Sequence, residues 1–143
     1  MSNYTPWGWA VEPLKRYADF SGRSPRAEYW WFWLFQILAV YLPLMIMVFA
    51  GIPSDEAGDP GPLFLVGIAL MVVAVLGLLI PNLAVQVRRF HDQDKSGWFM
   101  LFAFVPYLGG IILFVFMCIR GDEGSNRFGP DPYAHDHLDR VFA

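Results

Sequence analysis

The chain has 143 residues and a formal net charge of -3, with 56% hydrophobic and only 16% charged residues, where a soluble domain carries roughly a quarter charged. That composition excludes a soluble globule and a disordered chain. The single cysteine, Cys118, excludes a disulfide scaffold, and the acidic balance gives no footprint for nucleic acid. The charges are segregated as well as scarce: Tyr29–Ala50, Pro62–Val87 and Trp98–Ile119 contain no Asp, Glu, Lys, Arg or His.

In chain order, the first feature is a leader. Trp7, Ala10, Val11, Leu14, Tyr17 and Ala18 recur at helical spacing, with Glu12, Lys15, Arg16 and Asp19 opposite, which predicts an amphipathic helix in the membrane interface. Ser21, Gly22 and Ser24 break it. Ser24 is the expected N-cap of the next helix, and Pro25 suits its first turn.

A bilayer core about 30 Å thick is crossed by about 20 apolar residues in a helix, and isolated apolar runs satisfy their backbone amides only as helices. The three uncharged runs, of 22, 26 and 22 residues, therefore predict an all-α membrane protein. The expected organisation is an N-terminal interfacial segment (1–28), a domain of three transmembrane helices (29–50, 62–87 and 98–119) and a short irregular C-terminal tail (120–143). The first run is too long, and too far from the start, for a cleaved signal sequence despite Val48-Phe49-Ala50.

Orientation follows from Lys and Arg near the spans. Lys15, Arg16, Arg23 and Arg26 in the leader and Arg88, Arg89 and Lys95 in the second loop stand against Arg120 and Arg127 beyond the third run, while the loop 51–61 has none. Seven against two predicts a cytoplasmic N-terminus and an external C-terminus. The aromatic anchors Tyr29, Trp30, Trp31, Trp33, Trp98 and Phe99 agree.

The second run carries a seam, Gly67, Leu70, Ala74, Gly77, Pro81, Ala84, Arg88 and His91, at steps of three and four. Its small residues are expected to face neighbouring helices. At membrane depth the polar groups are Gln36, Asn82 and Gln86, expected to bond between helices. The densest polar cluster follows: Arg88, Arg89, His91, Asp92 and Lys95. Paired arginines with a His beside carboxylates suit anion binding or proton transfer. Charge on the positive inner face explains them equally, with Asp92, Glu28 or Asp94 as counter-charge to an arginine and Ser96 as cap of the third helix.

No complete catalytic set is present, and neither a metal site nor a cofactor is expected. Asp122-Glu123-Gly124-Ser125-Asn126 fails as a calcium loop at its third position, Gly124, and its twelfth, Tyr133. His135 and His137 read as solvated, and Cys118 as a packing residue.

Several linked motifs resemble a known family. Phe20-Ser21-Gly22-Arg23, Arg26, Glu28-Tyr29-Trp30, Pro81-Asn82-Leu83-Ala84-Val85, Arg88-Arg89-Phe90-His91-Asp92, Lys95-Ser96-Gly97-Trp98, Gly121 and Asn126-Arg127-Phe128-Gly129-Pro130 resemble the YhaH-like bacterial inner-membrane proteins, a family built on a domain of unknown function. The likeness covers Leu14 to Pro132. It implies a multi-pass protein of the bacterial cytoplasmic membrane and supplies no reaction or catalytic residue. The loop 51–61 is longer than the family's usual connection, and the Trp7/Trp9 leader and the end from Tyr133 lie outside the pattern.

The expected function is that of a noncatalytic accessory, scaffold or regulatory membrane component, contacting membrane lipids and either a membrane-protein partner or copies of itself. An oligomeric transporter using Gln36, Asn82 and Gln86 is the alternative. A lipid-headgroup enzyme, with His91 oriented by Asp92 and phosphate held by Arg88 and Arg89, is the second alternative.

Overall fold

The structure, a computed structural model, describes residues 5–50 and 62–133. The loop 51–61 and the histidines at 135 and 137 lie outside the described residues. Among the described residues four α-helices and one 3-10 helix follow in order: α1 (Pro6–Lys15), α2 (Arg26–Ala50), α3 (Pro62–His91), the 3-10 helix (Gly97–Phe104) and α4 (Gly109–Cys118).

Helix α1 starts where the leader pattern predicts a helix. The Thr5 hydroxyl caps it by accepting from the Gly8 amide at 3.1 Å, and Pro6 occupies the first turn. It ends at Lys15, short of Tyr17 and Ala18. The chain turns there because Asp19 accepts from Arg16 Nε at 2.9 Å and Nη2 at 2.7 Å and from the Ser21 amide at 2.9 Å. Helix α2 opens at Arg26, with the Pro25 carbonyl accepting from the Tyr29 amide.

Helices α2 and α3 have the length and apolarity to cross a bilayer, with 24 and 30 residues in the two candidate spans. Only 11% and 6% of their most apolar windows are buried. Core helices of a soluble protein would be covered by neighbouring side chains, so lipid is the solvent that suits these two.

The third apolar run, expected as one helical span over Trp98–Ile119, is not a single helix. It folds as the 3-10 helix, a turn at Val105–Leu108, and α4. Pro106 has no N–H to donate and disfavours helix at Val105. Tyr107 adopts a left-handed φ of 63°. The Leu108 and Gly109 amides are taken by the Pro106 and Val105 carbonyls at 2.7 and 2.8 Å. Gly109 is required by close approach, because a Cβ there would lie 2.7 Å from the Ala103 carbonyl oxygen. Ser96 caps the 3-10 helix, accepting from the Trp98 amide at 3.5 Å. At ten residues, α4 rises about 15 Å, half the bilayer core.

Contacts divide the chain into two compact units, one from the described residues up to Phe32 and from Pro81 onward, the other Trp33–Ile80. The second unit is a pair of helix segments whose described residues carry no charge. Within it Gly67 is buried and a Cβ there would meet Met47 Cβ at 2.9 Å, so the two backbones approach closely. Gly77 differs: a Cβ would meet nothing within 4 Å, and Leu70 is exposed. The expected seam is thus an inward face at Gly67 and again at Pro81, Ala84 and Arg88, and not along its middle.

The first unit has an aromatic core. Phe90, fully buried, packs against Phe99 and Phe116 at centroid distances of 6.0 and 5.5 Å, with Phe99 and Phe116 5.8 Å apart. These contacts hold the 3-10 helix and α4 against the end of α3. This unit also takes in residues from each predicted segment, because ion pairs join the leader, the end of α3 and the tail.

Candidate functional site

Helix α3 ends in a Schellman turn. The Lys95 amide donates to the Phe90 carbonyl at 2.9 Å and the Asp94 amide to the His91 carbonyl at 3.1 Å. Asp94 occupies the left-handed position at φ 51°, where Asp is among the few non-glycine residues that fit. This turn places Arg88, Arg89, His91 and Asp92 together at the helix end.

Arg88 and Arg89 are both fully buried. Arg88 Nη2 meets Glu28 Oε1 at 2.9 Å, and its Nη1 donates to the carbonyls of Asp19 and Arg16 at 2.9 and 3.3 Å. Arg89 pairs with Asp92 Oδ2 and donates to the Ile119 carbonyl. The other Asp92 oxygen accepts from Arg23 Nε at 3.0 Å. Arg23 completes its set on the Asp122 and Gly124 carbonyls. The Arg23, Asp92, Arg88 and Glu28 side chains are 4% exposed or less. At that burial an unpaired charge would be costly, so pairing dictates the arrangement.

Burial raises the Asp92 carboxyl above the usual carboxylate range, and Arg89 and Arg23 oppose that rise. Three guanidiniums face two carboxylates, so the buried cluster holds one surplus positive charge, spread over main-chain oxygens.

His91 takes no part in these pairs. Its Nδ1 lies 3.2 Å from the Gly22 carbonyl, and its ring stacks on Phe128 at 3.9 Å with planes 2° apart. Asn126 Nδ2 donates to the His91 carbonyl at 2.8 Å, and Arg127 Nε pairs with Asp94 at 3.0 Å. Lys95 lies over the Phe116 ring at 5.7 Å. The lipid-headgroup arrangement read from sequence therefore does not form: Asp92 is engaged by two arginines instead of orienting His91, and Arg88 and Arg89 are paired inward instead of open to a phosphate.

Of the intramembrane polar residues, Gln86 Nε2 donates to Asn82 Oδ1 at 3.1 Å along α3. Gln36 lies on α2 in the other unit, half-buried. Among the described residues no group of three or more His, Cys, Asp or Glu is placed to hold a metal.

Sequence reasoning missed Arg23 and the tail as parts of this cluster. The tail's Gly121 was the available signal. A Cβ there would collide with the Asp92 carboxylate, and the next amide, Asp122, donates to the Asp92 carbonyl at 2.8 Å. Because residues 119–128 bond to Arg23, Arg89, His91 and Asp94, the tail lies at the same end of α3 as the leader. The leader and tail, expected on opposite membrane faces, are joined here by direct bonds from Arg23 to the Asp122 and Gly124 carbonyls.

Residues 17–130 match a family model described as protein of unknown function (DUF805). The chain belongs to this family. It is 37% identical over 126 residues to inner membrane protein YhaH of Escherichia coli K12, covering 87% of this chain and 95% of that protein. It is 36% identical over 124 residues to inner membrane protein YhaI of the same organism, covering 87% and 94%. No solved structure matches the chain. The DUF805 match spans the cluster from Arg23 to Arg127, and the relatives' names agree with two long, uncovered apolar helices in making this a bacterial inner-membrane protein.

Proposed function

We propose that this DUF805 chain crosses the inner membrane twice, through α2 and α3, with leader and tail both cytoplasmic. In this reading the hairpin from Gly97 to Cys118 enters and leaves the cytoplasmic leaflet, and α1 lies in the interface beside it. The observation that supports it is the tail's bonding to Arg23 and Arg89. Once the tail is counted with the leader, Arg120 and Arg127 join the other seven cations on one face, and the loop 51–61 has none. In a Cys118→Ser background, a Cys at Gly58 should react with an impermeant maleimide from outside. One at the exposed Ser125 should react only after permeabilisation. External labelling at Ser125 would overturn the topology.

The activity we infer is noncatalytic: the protein serves as an accessory or scaffold to another membrane component. Supporting this, the cluster's guanidiniums and carboxylates are spent on one another and on main-chain oxygens, which leaves its Asp and Arg side chains engaged in structure. Native electrophoresis of the membranes should then give a discrete heteromeric complex. A homo-oligomer that passes solutes after reconstitution would replace this reading with transport.

A further inference from the structure

The buried cluster and the surface beside it hold more positive than negative charge, and the excess has an outlet. Arg26, at the first turn of α2, is exposed, and among the described residues no carboxylate pairs with it. Its Nη1 makes one long bond, 3.4 Å, to the Cys118 carbonyl. The guanidinium borders an open surface crevice of about 480 Å³ lined by Arg26, Ala27, Trp30, Trp31 and Cys118. The crevice runs between the base of α2 and the end of α4, which meet where Trp30 packs edge-on against Phe114 at 5.7 Å.

Chemistry narrows the occupant. A guanidinium offers a planar pair of donors that matches a phosphate, and the adjacent surplus charge favours an anion. Indoles suit the headgroup level, and Trp31 of α2 is 39% and Phe114 of α4 58% exposed. An anion with apolar chains satisfies both halves, whereas a soluble anion would leave the apolar half unused. Basic recesses between helices on the cytoplasmic side are a recurrent form of anionic-lipid recognition.

We propose that the Arg26–Trp30–Trp31–Cys118 crevice binds the phosphodiester of an anionic phospholipid. Arg26 grips the phosphate, and the acyl chains lie over Trp31 and along the exposed face of α4. The inference rests on the membrane placement proposed above, in which this end of α2 meets the cytoplasmic headgroups.

The test is native mass spectrometry of the full chain after exchange into mixed phosphatidylglycerol and phosphatidylcholine. The wild type should retain phosphatidylglycerol selectively. Arg26→Gln should lower that retention roughly tenfold, the loss of one charge-assisted contact. Arg26→Lys should keep more lipid than Arg26→Gln, and the exposed Arg120→Gln should match the wild type. Thermal unfolding in phosphatidylcholine alone, unchanged in Arg26→Gln, separates lost binding from lost folding. Wild-type retention by Arg26→Gln, equal loss in the Lys and Gln variants, or equal retention of both lipids would overturn the proposal. Displacement of the lipid by millimolar inorganic phosphate would assign the site to a soluble anion and overturn it too. Failure of the topology itself appears separately, as external labelling at Ser125.

Discussion

Arg88 and Glu28, 60 residues apart in sequence, meet at 2.9 Å with side chains 0% and 3% exposed. This pair ties the end of α3 to the start of α2. Glu28→Gln leaves a buried guanidinium without its counter-charge and should lower stability by about 3–5 kcal/mol. Glu28→Gln combined with Arg88→Met should cost less than the sum of the two single changes, as contacting residues do in a double-mutant cycle. Arg88→Lys should also destabilise, because an ammonium cannot span Glu28 and the Asp19 and Arg16 carbonyls together. Unfolding in detergent measures all of these, and strict additivity would dissolve the pairing.

Gly121 sits where a side chain has no room. Gly121→Ala should push the tail off Asp92 and cost about 1–3 kcal/mol, the range for overpacking. Gly110→Ala, where a Cβ meets nothing within 4 Å, is the matched control and should be neutral or mildly stabilising. Amide exchange at Asp122, read in both variants, distinguishes a displaced tail from a general loosening.

The two glycines of α3 should separate cleanly. Gly67→Leu must displace Met47, whose Cβ would lie 2.9 Å from the new one, and should destabilise by roughly 1–3 kcal/mol. Gly77→Leu enters open space and should be tolerated. Equal losses at the two sites would mean that Gly77 is covered in the membrane by something besides lipid, a second copy or a partner.

Acid should loosen the turn after α1. The Ser21 hydroxyl, the Arg16 guanidinium and the Ser21 amide hold the Asp19 carboxyl far below the usual carboxylate range. The native value lies under the unfolded one, so the unfolded chain takes up the proton first as pH falls. The stabilisation is complete above about pH 4 and is lost progressively below it. The protection factor of the Ser21 amide, its exchange relative to the free-chain rate at the same pH, should fall in that window. Asp19→Asn should show the lower protection at every pH. A pH-independent protection factor in the wild type would remove Asp19 from the turn.

What the sequence disclosed follows from the kind of signal each feature carries. Helices α2 and α3 were legible because uncharged length is a one-dimensional property. Glu28 and Asp92 could be named as counter-charges because a buried arginine demands one, whereas Asp94, the third candidate, pairs with the exposed Arg127. The break in the third run was harder to read, since uniform apolarity outweighed Pro106 and Gly109-Gly110. Arg23 escaped notice because its partner Asp92 is 69 residues away and no periodicity links them. The tail was invisible for a different reason: it contributes mainly carbonyl oxygens, which every residue possesses.

Those carbonyls impose an order of events during synthesis. Arg23 and Arg89 leave the ribosome well before Ile119, Asp122 and Gly124, so their guanidiniums stay hydrated until the tail follows. In the topology proposed above, the hairpin between Asp92 and the tail settles into lipid as that hydration is released. Assembly of the cluster therefore finishes from the far end of the chain, and a chain released at Cys118 would leave Arg23 and Arg89 without the main-chain acceptors that Ile119, Asp122 and Gly124 supply.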